Sequence, residues 1–369
     1  MTRVLMITNR FIFGGIEKLL LDVFENRKDP DLQYDLLMLT TEKDPALIDR
    51  VKAAGVNCYS LELDRHGSLE RQWHHYRALY RFLKEHRYDV VHVNITSYAR
   101  VLDMLTIRLA GVPVRIIHSH SADEHDPLSR RIIRPLRKLY DYTATDFLAC
   151  SDGAARHLFS KRICREKRYV VINNGIEVDQ YRFSEADRAA VRDRLGVGDA
   201  LLIGHVGRLT EAKNHGFLLE VFKALHEIRP DSRLLLVGDG ELRQAIEYRI
   251  AEFGLGDSVI LYGASADIPM LLSSMDVFLF PSVWEGLGIS VIEAQCNGLP
   301  CYISDNVPRA AMITSNVWQY DLSEGAERWA RHILDAENKR VDEMEKIKQA
   351  HFDILDSVRQ LEGIYAKKG

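Results

Sequence analysis

The sequence predicts an α/β protein of two domains, each a parallel sheet covered by helices. Short apolar runs alternate with longer amphipathic stretches along the chain, the order expected of βαβ units. A polar stretch from Glu185 to Asp199 interrupts the alternation, which restarts at Leu201. The length, 369 residues, is that of about two domains.

In the first half, Val4 to Thr8 reads as a buried strand. Phe13-Gly14-Gly15-Ile16-Glu17 and a helix from Lys18 to Phe24 follow. Strands are expected at Tyr34–Leu39, Asn57–Leu61, Asp89–Val93, Val114–His118, Asp146–Cys150 and Tyr169–Ile172. Helices are expected at Asp44–Ala54, about Ser68–Glu85, Tyr98–Ala110 and after Ser151, whose hydroxyl is a natural N-cap. Ser129 to Tyr140 carries Arg130, Arg131, Arg134, Arg137 and Lys138 among Ile132, Ile133, Leu136 and Leu139. It reads as a basic amphipathic helix broken at Pro135. Such a face is either solvated or a docking surface for an anionic membrane.

In the second half, strands are expected at Leu201–Val206, Arg233–Val237, Val259–Tyr262, Asp276–Phe280 and Pro300–Ser304. Helices are expected from about Asn214 through Leu225, at Asp267–Ser274, at Ser290–Asn297 and from about Gly325 onward. Asn173-Asn174-Gly175-Ile176 is a turn.

Composition excludes several classes. The chain is 46% hydrophobic and 28% charged with net charge −4, so no basic excess points to nucleic acid. No apolar run approaches the roughly 18 residues needed to span a bilayer. Met1 to Phe13 is interrupted by Asn9 and Arg10 and reads as a first strand rather than a signal peptide. The five cysteines form no C-x-x-C pair, which fits a reduced, cytoplasmic protein.

The chemistry centres on Pro281 to Ala294. A buried strand ends at Pro281, Gly286 and Gly288 let the backbone approach a ligand, and a helix start offers amides to an anion. Glu285 in the loop and Glu293 in the helix can accept hydrogen bonds from sugar hydroxyls. An ordinary strand–loop–helix unit with exposed glutamates is the plainer reading. Gly207-Arg208, with Lys213 five residues beyond Arg208, sets two cations at another strand end, suited to phosphate oxygens. Gly14-Gly15 before a helix is a second anion-cradling turn. It lacks the third glycine of a dinucleotide fingerprint.

Glu285 and Glu293, in their Pro-Ser and Glu-Gly-Leu-Gly context, together with Gly207-Arg208 and Lys213, resemble the signature of retaining glycosyltransferases of family 4. The likeness runs over nearly the whole chain and is strongest from Gly207 to Asp305. It implies the GT-B fold: two Rossmann-like, doubly wound domains facing a central cleft. Residues 1–175 would bind the acceptor, with a C-terminal helix at about 353–369 packing back on them, and residues 176–352 would bind a nucleotide-sugar. By the same resemblance Arg208 and Lys213 hold the donor diphosphate, helped by the backbone of Gly286, Leu287 and Gly288. Glu293 takes the ribose hydroxyls, Glu285 the transferred sugar, and Gly14 and Gly15 line the cleft. His120 would contact the sugar, although His118 stands where a Thr is frequent. The implied reaction retains anomeric configuration and draws on a nucleoside-diphosphate-sugar, UDP being the expected nucleotide. The acceptor would be a glycan or lipid-linked hydroxyl in surface polysaccharide assembly, reached from the cytoplasmic face of the membrane through helix 129–140.

No cofactor or metal is expected. The only Asp-x-Asp, Asp29-Pro30-Asp31, follows a helix rather than a strand. Three other readings compete. His118-Ser119-His120, followed by Asp123, Glu124, His125 and Asp126, can be read as a metal-dependent hydrolase site. A nucleotide-sugar epimerase or a non-catalytic sensor fits the same fold.

Overall fold

The computed structural model describes residues 1–12, 15–41, 43–61, 69–95, 100–120 and 134–367. Gly14, the expected helix starts at Ser68 and Tyr98, the acidic run Asp123–Asp126, and Ser129 to Ile133 lie outside them. The chain divides into two compact units, Met1–Gly175 with Ile354–Gly369, and Ile176–Asp353.

The first unit alternates strand and helix: β1 (Thr2–Thr8), α1 (Gly15–Asn26), β2 (Leu32–Met38), α2 (Pro45–Ala53), β3 (Asn57–Ser60), α3 (Leu69–His86), β4 (Val90–Ile95), α4 (Val101–Leu109) and β5 (Val114–Ser119). It continues with α5 (Tyr140–Thr143), β6 (Asp146–Ala149), α6 (Asp152–Leu158), α7 (Lys161–Arg165) and β7 (Val170–Val171). All pairings are parallel, in the order β3-β2-β1-β4-β5-β6-β7. The central strands are largely buried runs, the edge strands β3 and β7 only partly so, and helices cover both faces, so two cores form. Leu5, Val91 and Ile117 face one, Val4, Val90 and Ile116 the other.

Local chemistry sets the helix starts. Asp44 caps α2 by accepting from the Ala46 amide, and Pro45 opens the helix where no amide bond is needed. Ser151 caps α6, accepting from the Ala154 amide at 3.1 Å.

The second unit runs α8 (Glu185–Leu195), β8 (Leu202–Val206), α9 (His215–Ile228), β9 (Arg233–Val237), α10 (Arg243–Glu252), β10 (Val259–Gly263), α11 (Ile268–Ser274), β11 (Val277–Phe280), α12 (Ile289–Cys296), β12 (Cys301–Ser304), β13 (Val317–Tyr320), α13 (Ala326–Asp335) and α14 (Met344–Gln349). Its parallel sheet has the order β10-β9-β8-β11-β12-β13. The last helix, α15 (Ile354–Ala366), belongs to the first unit and buries Ile354, Val358, Leu361 and Tyr365 in its core.

Two expectations are corrected. The stretch Glu185–Asp199 is not a linker, because most of it forms α8. Ser184 caps that helix by accepting from the Asp187 amide, and Gly196 ends it in the left-handed conformation at φ 65°. It escapes a hydrophobic reading because only Val191 and Arg192 are buried. The described part of the basic stretch is not an α-helix: residues 134–139 form a 3-10 helix that runs into α5. Pro135 has no amide to donate to an α-helical ladder. Helix α10 and strand β13 were not anticipated.

Candidate active site

In both sheets the strand order reverses between two neighbours, β1 and β4 in one, β8 and β11 in the other. Open parallel sheets bind ligands outside the carboxyl ends of the strands at that point, because the loops there diverge. In the second unit, Val277 pairs with Ile203 and Phe278 with Gly204, so β8 and β11 end side by side. The loops leaving them carry Arg208, Lys213, Glu285 and Gly286–Gly288, and Glu293 follows in α12.

The two loops are tied together. The Val283 amide donates to the Ala212 carbonyl at 2.8 Å, and Asn214 Nδ2 donates to the Pro281 carbonyl at 3.1 Å. Asn214 takes a left-handed conformation, φ 56°, which asparagine tolerates better than most residues. This closure brings Lys213 Nζ to 2.5 Å from Glu285 Oε1, and the ammonium also sits 4.4 Å from the centroid of the Phe280 ring. The Lys213 stem crosses Gly207: a Cβ there would stand 2.9 Å from His205 Nε2 and 3.2 Å from Lys213 Cε.

Two imidazoles underlie the pair. His205 donates from Nδ1 to the Leu279 carbonyl at 2.9 Å, and its ring lies 4.9 Å from that of His215. Burial, then the neighbouring His215, holds His205 well below the ordinary histidine range. Burial, then the Lys213 ammonium, lowers His215 to about 4. Both rings are neutral at neutral pH, so the formal charges at this spot are those of Lys213 and Glu285.

Gly288 turns the second loop into α12 at φ 86°, and its carbonyl accepts from the Val291 amide at 2.9 Å. That amide, expected to be open to an anion, is therefore engaged. No atom lies within 4 Å of a Cβ built on Gly286, so the loop is open there. Glu293 is buried within α12 and accepts from the Tyr181 hydroxyl at 2.7 Å. The two glutamates thus serve different partners, Lys213 and Tyr181. Arg208 is not part of the Lys213–Glu285 pair: its side chain is 72% exposed and lies 3.8 Å from Glu241.

In the first unit, Gly15 opens α1 and His120 follows β5. His120 Nε2 is 2.9 Å from Asn94 Oδ1. The oxygen is an acceptor, so Nε2 carries the proton. The His118 and His120 rings share one face of the sheet with centroids 3.9 Å apart. His118 Nδ1 meets His92 Nε2 at 3.2 Å, and His92 Nδ1 meets the Tyr365 hydroxyl at 2.6 Å. His118 is thus embedded in a buried row of polar side chains beneath α15. Burial lowers His92 and His120 to about 3 and holds His118 well below its usual range.

Known proteins match both halves of this arrangement. A model described as Glycosyltransferase Family 4 matches residues 13–180, and one described as Glycosyl transferases group 1 matches residues 187–352. A Bacillus subtilis glycosyltransferase, EpsF, is 30% identical over 98% of this chain and 96% of its own. The chain belongs to the GT-B glycosyltransferases. An Escherichia coli relative named UDP-Gal:alpha-D-GlcNAc-diphosphoundecaprenol alpha-1,3-galactosyltransferase is 30% identical over 80% of this chain and 77% of its own. The crystal structure of HepE from Anabaena in complex with UDP shares the fold over the full length of both chains, with a TM-score of 0.79 at 20% identity.

Sequence reading of this glycosyltransferase missed Tyr181, Asn94, His205 and His215. A signal for two of them exists. His92 and Asn94 stand two residues apart in an otherwise apolar strand, as does His205 in β8, and polar groups buried in strands need partners. Tyr181 has none, because its partner lies 112 residues away.

Proposed function

We propose that this glycosyltransferase moves a sugar from a nucleoside-diphosphate-sugar, UDP being the nucleotide expected, to a hydroxyl of a glycan or lipid-linked acceptor in surface polysaccharide assembly. The transfer retains anomeric configuration and needs no metal ion or cofactor. The Lys213–Glu285 pair at the switch point of the second sheet carries the reading. A cation suited to phosphate and a carboxylate suited to sugar hydroxyls meet there within hydrogen-bond distance. Lys213 and Arg208 bind the diphosphate and offset the charge that develops on it as the sugar leaves. The backbone of Gly286, Leu287 and Gly288 lines the same place. Glu285 holds the sugar and Glu293 the ribose. On the first unit, residues 1–175, Gly14, Gly15 and His120 serve acceptor and sugar. His120 is a neutral hydrogen-bonding group rather than a cation.

The relatives' names support the substrate class. Among them are a galactosyltransferase acting on a diphosphoundecaprenol-linked sugar and capsular polysaccharide glycosyltransferases of Staphylococcus aureus. The first unit also presents a surface suited to an anionic membrane. Leu102, Leu105 and Leu109 of α4 and Leu136, Leu139 and Tyr142 are exposed, as are Arg108 and Lys138, and Arg137 is half-buried beside them. Arg108 Nη1 donates to the Tyr142 carbonyl at 2.5 Å and joins the two segments. Exposed leucines beside basic residues fit the boundary between acyl chains and anionic headgroups. Flotation with anionic vesicles, lost in Leu109→Ser/Arg137→Glu, tests it, and equal flotation of wild type and variant refutes it.

The deciding experiment is thermal stabilisation by UDP, GDP, ADP, CMP and their sugar conjugates with EDTA present. A shift with one nucleoside diphosphate, lost in Lys213→Met, is the expected result. No shift with any of them, with destabilisation by EDTA alone, would turn the assignment to the hydrolase reading.

A further inference from the structure

Tyr181 closes the 3-10 turn Val178–Tyr181, and its ring is buried in the core of the second unit. It holds α12 at two points. Its hydroxyl donates to Glu293 Oε1 at 2.7 Å, and its carbonyl accepts from Asn297 Nδ2 at 2.9 Å. Residues 293 and 297 are one helical turn apart, so Tyr181 lies as a strap along that turn. The strap is anchored. Asn297 Nδ2 is also 3.1 Å from Ser273 Oγ, and the Arg340 guanidinium reaches both oxygens of Asn297. Arg340 is tied in turn to the carbonyls of Leu272, Ser273 and Met275.

We infer that Tyr181 is a positioning residue for nucleotide recognition: its hydroxyl fixes the Glu293 carboxylate in the orientation that receives the ribose diol, and so sets discrimination for ribose hydroxyls. The inference rests on the assignment of Glu293 to the ribose. A free glutamate side chain samples several rotamers and loses that freedom when a ligand binds. A hydroxyl bond to a carboxylate is charge-assisted, and with both groups buried it holds the carboxylate in place before the ligand arrives. The Tyr181 hydroxyl acts through Glu293 rather than on the substrate.

The test measures binding of UDP and of 2′,3′-dideoxy-UDP to the full-length wild type, Tyr181→Phe and Glu293→Gln by titration calorimetry. Wild type is expected to prefer UDP by about tenfold or more, the scale of one charged hydrogen bond. Tyr181→Phe is expected to weaken UDP about fivefold and to leave the dideoxy ligand unchanged, so the preference narrows. In turnover, the donor KM rises while kcat stays within about twofold. The preference is a ratio within each folded protein, so a general loss of stability does not imitate it. Tyr181→Phe with the wild-type preference overturns the inference. If Glu293→Gln also keeps that preference, or wild type shows none, the ribose assignment itself falls.

Discussion

Lys213 Nζ and Glu285 Oε1 are 2.5 Å apart, and the two side chains are only 17% and 11% exposed. An ion pair this sheltered is costly to break from one side, because the remaining charge stays behind without its partner. Lys213→Met is expected to destabilise the protein by about 1–3 kcal/mol, below the range for fully buried pairs because water still reaches this one. It is expected to cut transfer by about two to three orders of magnitude, the usual loss when a charge-stabilising donor is removed. Lys213→Met/Glu285→Gln should recover most of the stability and none of the activity. Calorimetric Tm values and initial rates check this, and a single variant with the wild-type Tm would contradict the buried-pair account.

Gly207 makes room for that lysine. A methyl group there would press on His205 Nε2 at 2.9 Å and on Lys213 Cε at 3.2 Å. His205 is held by the Leu279 carbonyl and the Phe280 ring, so the backbone at residue 207 must shift, and the lysine stem with it. Gly207→Ala is expected to weaken nucleotide binding about tenfold or more and to cost about 1–3 kcal/mol by overpacking. Gly216→Ala is the control, since no atom lies within 4 Å of its Cβ position. It should be neutral or stabilising by up to about 1 kcal/mol. Equal effects from the two substitutions would sink the steric argument.

The alternation of strands and helices was legible because the central strands are largely buried apolar runs closed by turn signals, as at Phe280 and Pro281. The charged residues of the loops were legible because Lys213 and Glu285 lie in short motifs whose flanking glycines and proline mark the turns. Helix α8 was not, since it buries too little for hydrophobic periodicity to register. Its evidence lay in Ser184 and Gly196, one cap at each end. Tyr181 and Asn94 were not legible as partners of Glu293 and His120, because those contacts are made by tertiary packing between residues 112 and 26 positions apart. Sequence spacing carries no record of such pairs.

The return of α15 to the first unit supports a prediction about truncation. Ile354, Val358, Leu361 and Tyr365 are all buried in that unit's core. At about 1.5–3 kcal/mol for each large side chain, their removal forfeits roughly 6–12 kcal/mol, comparable to the whole stability of a domain. A chain ending at Asp353 is expected to leave the first unit unfolded, with rapid proteolysis of residues 1–175. Tyr365→Phe is far milder, about 1–2 kcal/mol, because it keeps the ring and removes only the hydroxyl that meets His92 Nδ1 at 2.6 Å and Met6 Sδ at 3.8 Å. A truncated protein with native protease resistance would refute the role given to α15.

The row His92–His118–His120 sets a pH response. Burial is the first cause of lowering in all three, and His92 and His120 fall to about 3. Unfolded, each titrates near 6.5. Below that pH the unfolded chain binds protons that the folded chain refuses. Stability is then fully present above about 6.5 and is lost as pH falls toward the folded values, at up to about 1.4 kcal/mol per pH unit for each histidine. His205 and His215 in the second unit add to the same trend. Tm should drop steeply between about pH 6.5 and 4.5, and His118→Gln should make the slope shallower. Because His120 remains neutral throughout, kcat/KM should show no step near 6.5 from this residue. Asn94→Asp would put a carboxylate in place of the amide now 2.9 Å from His120 Nε2 and should raise its pKa, introducing a titration into the pH–rate profile. An unchanged profile in Asn94→Asp, with the variant folded, would show that the protonation state of His120 has no bearing on turnover.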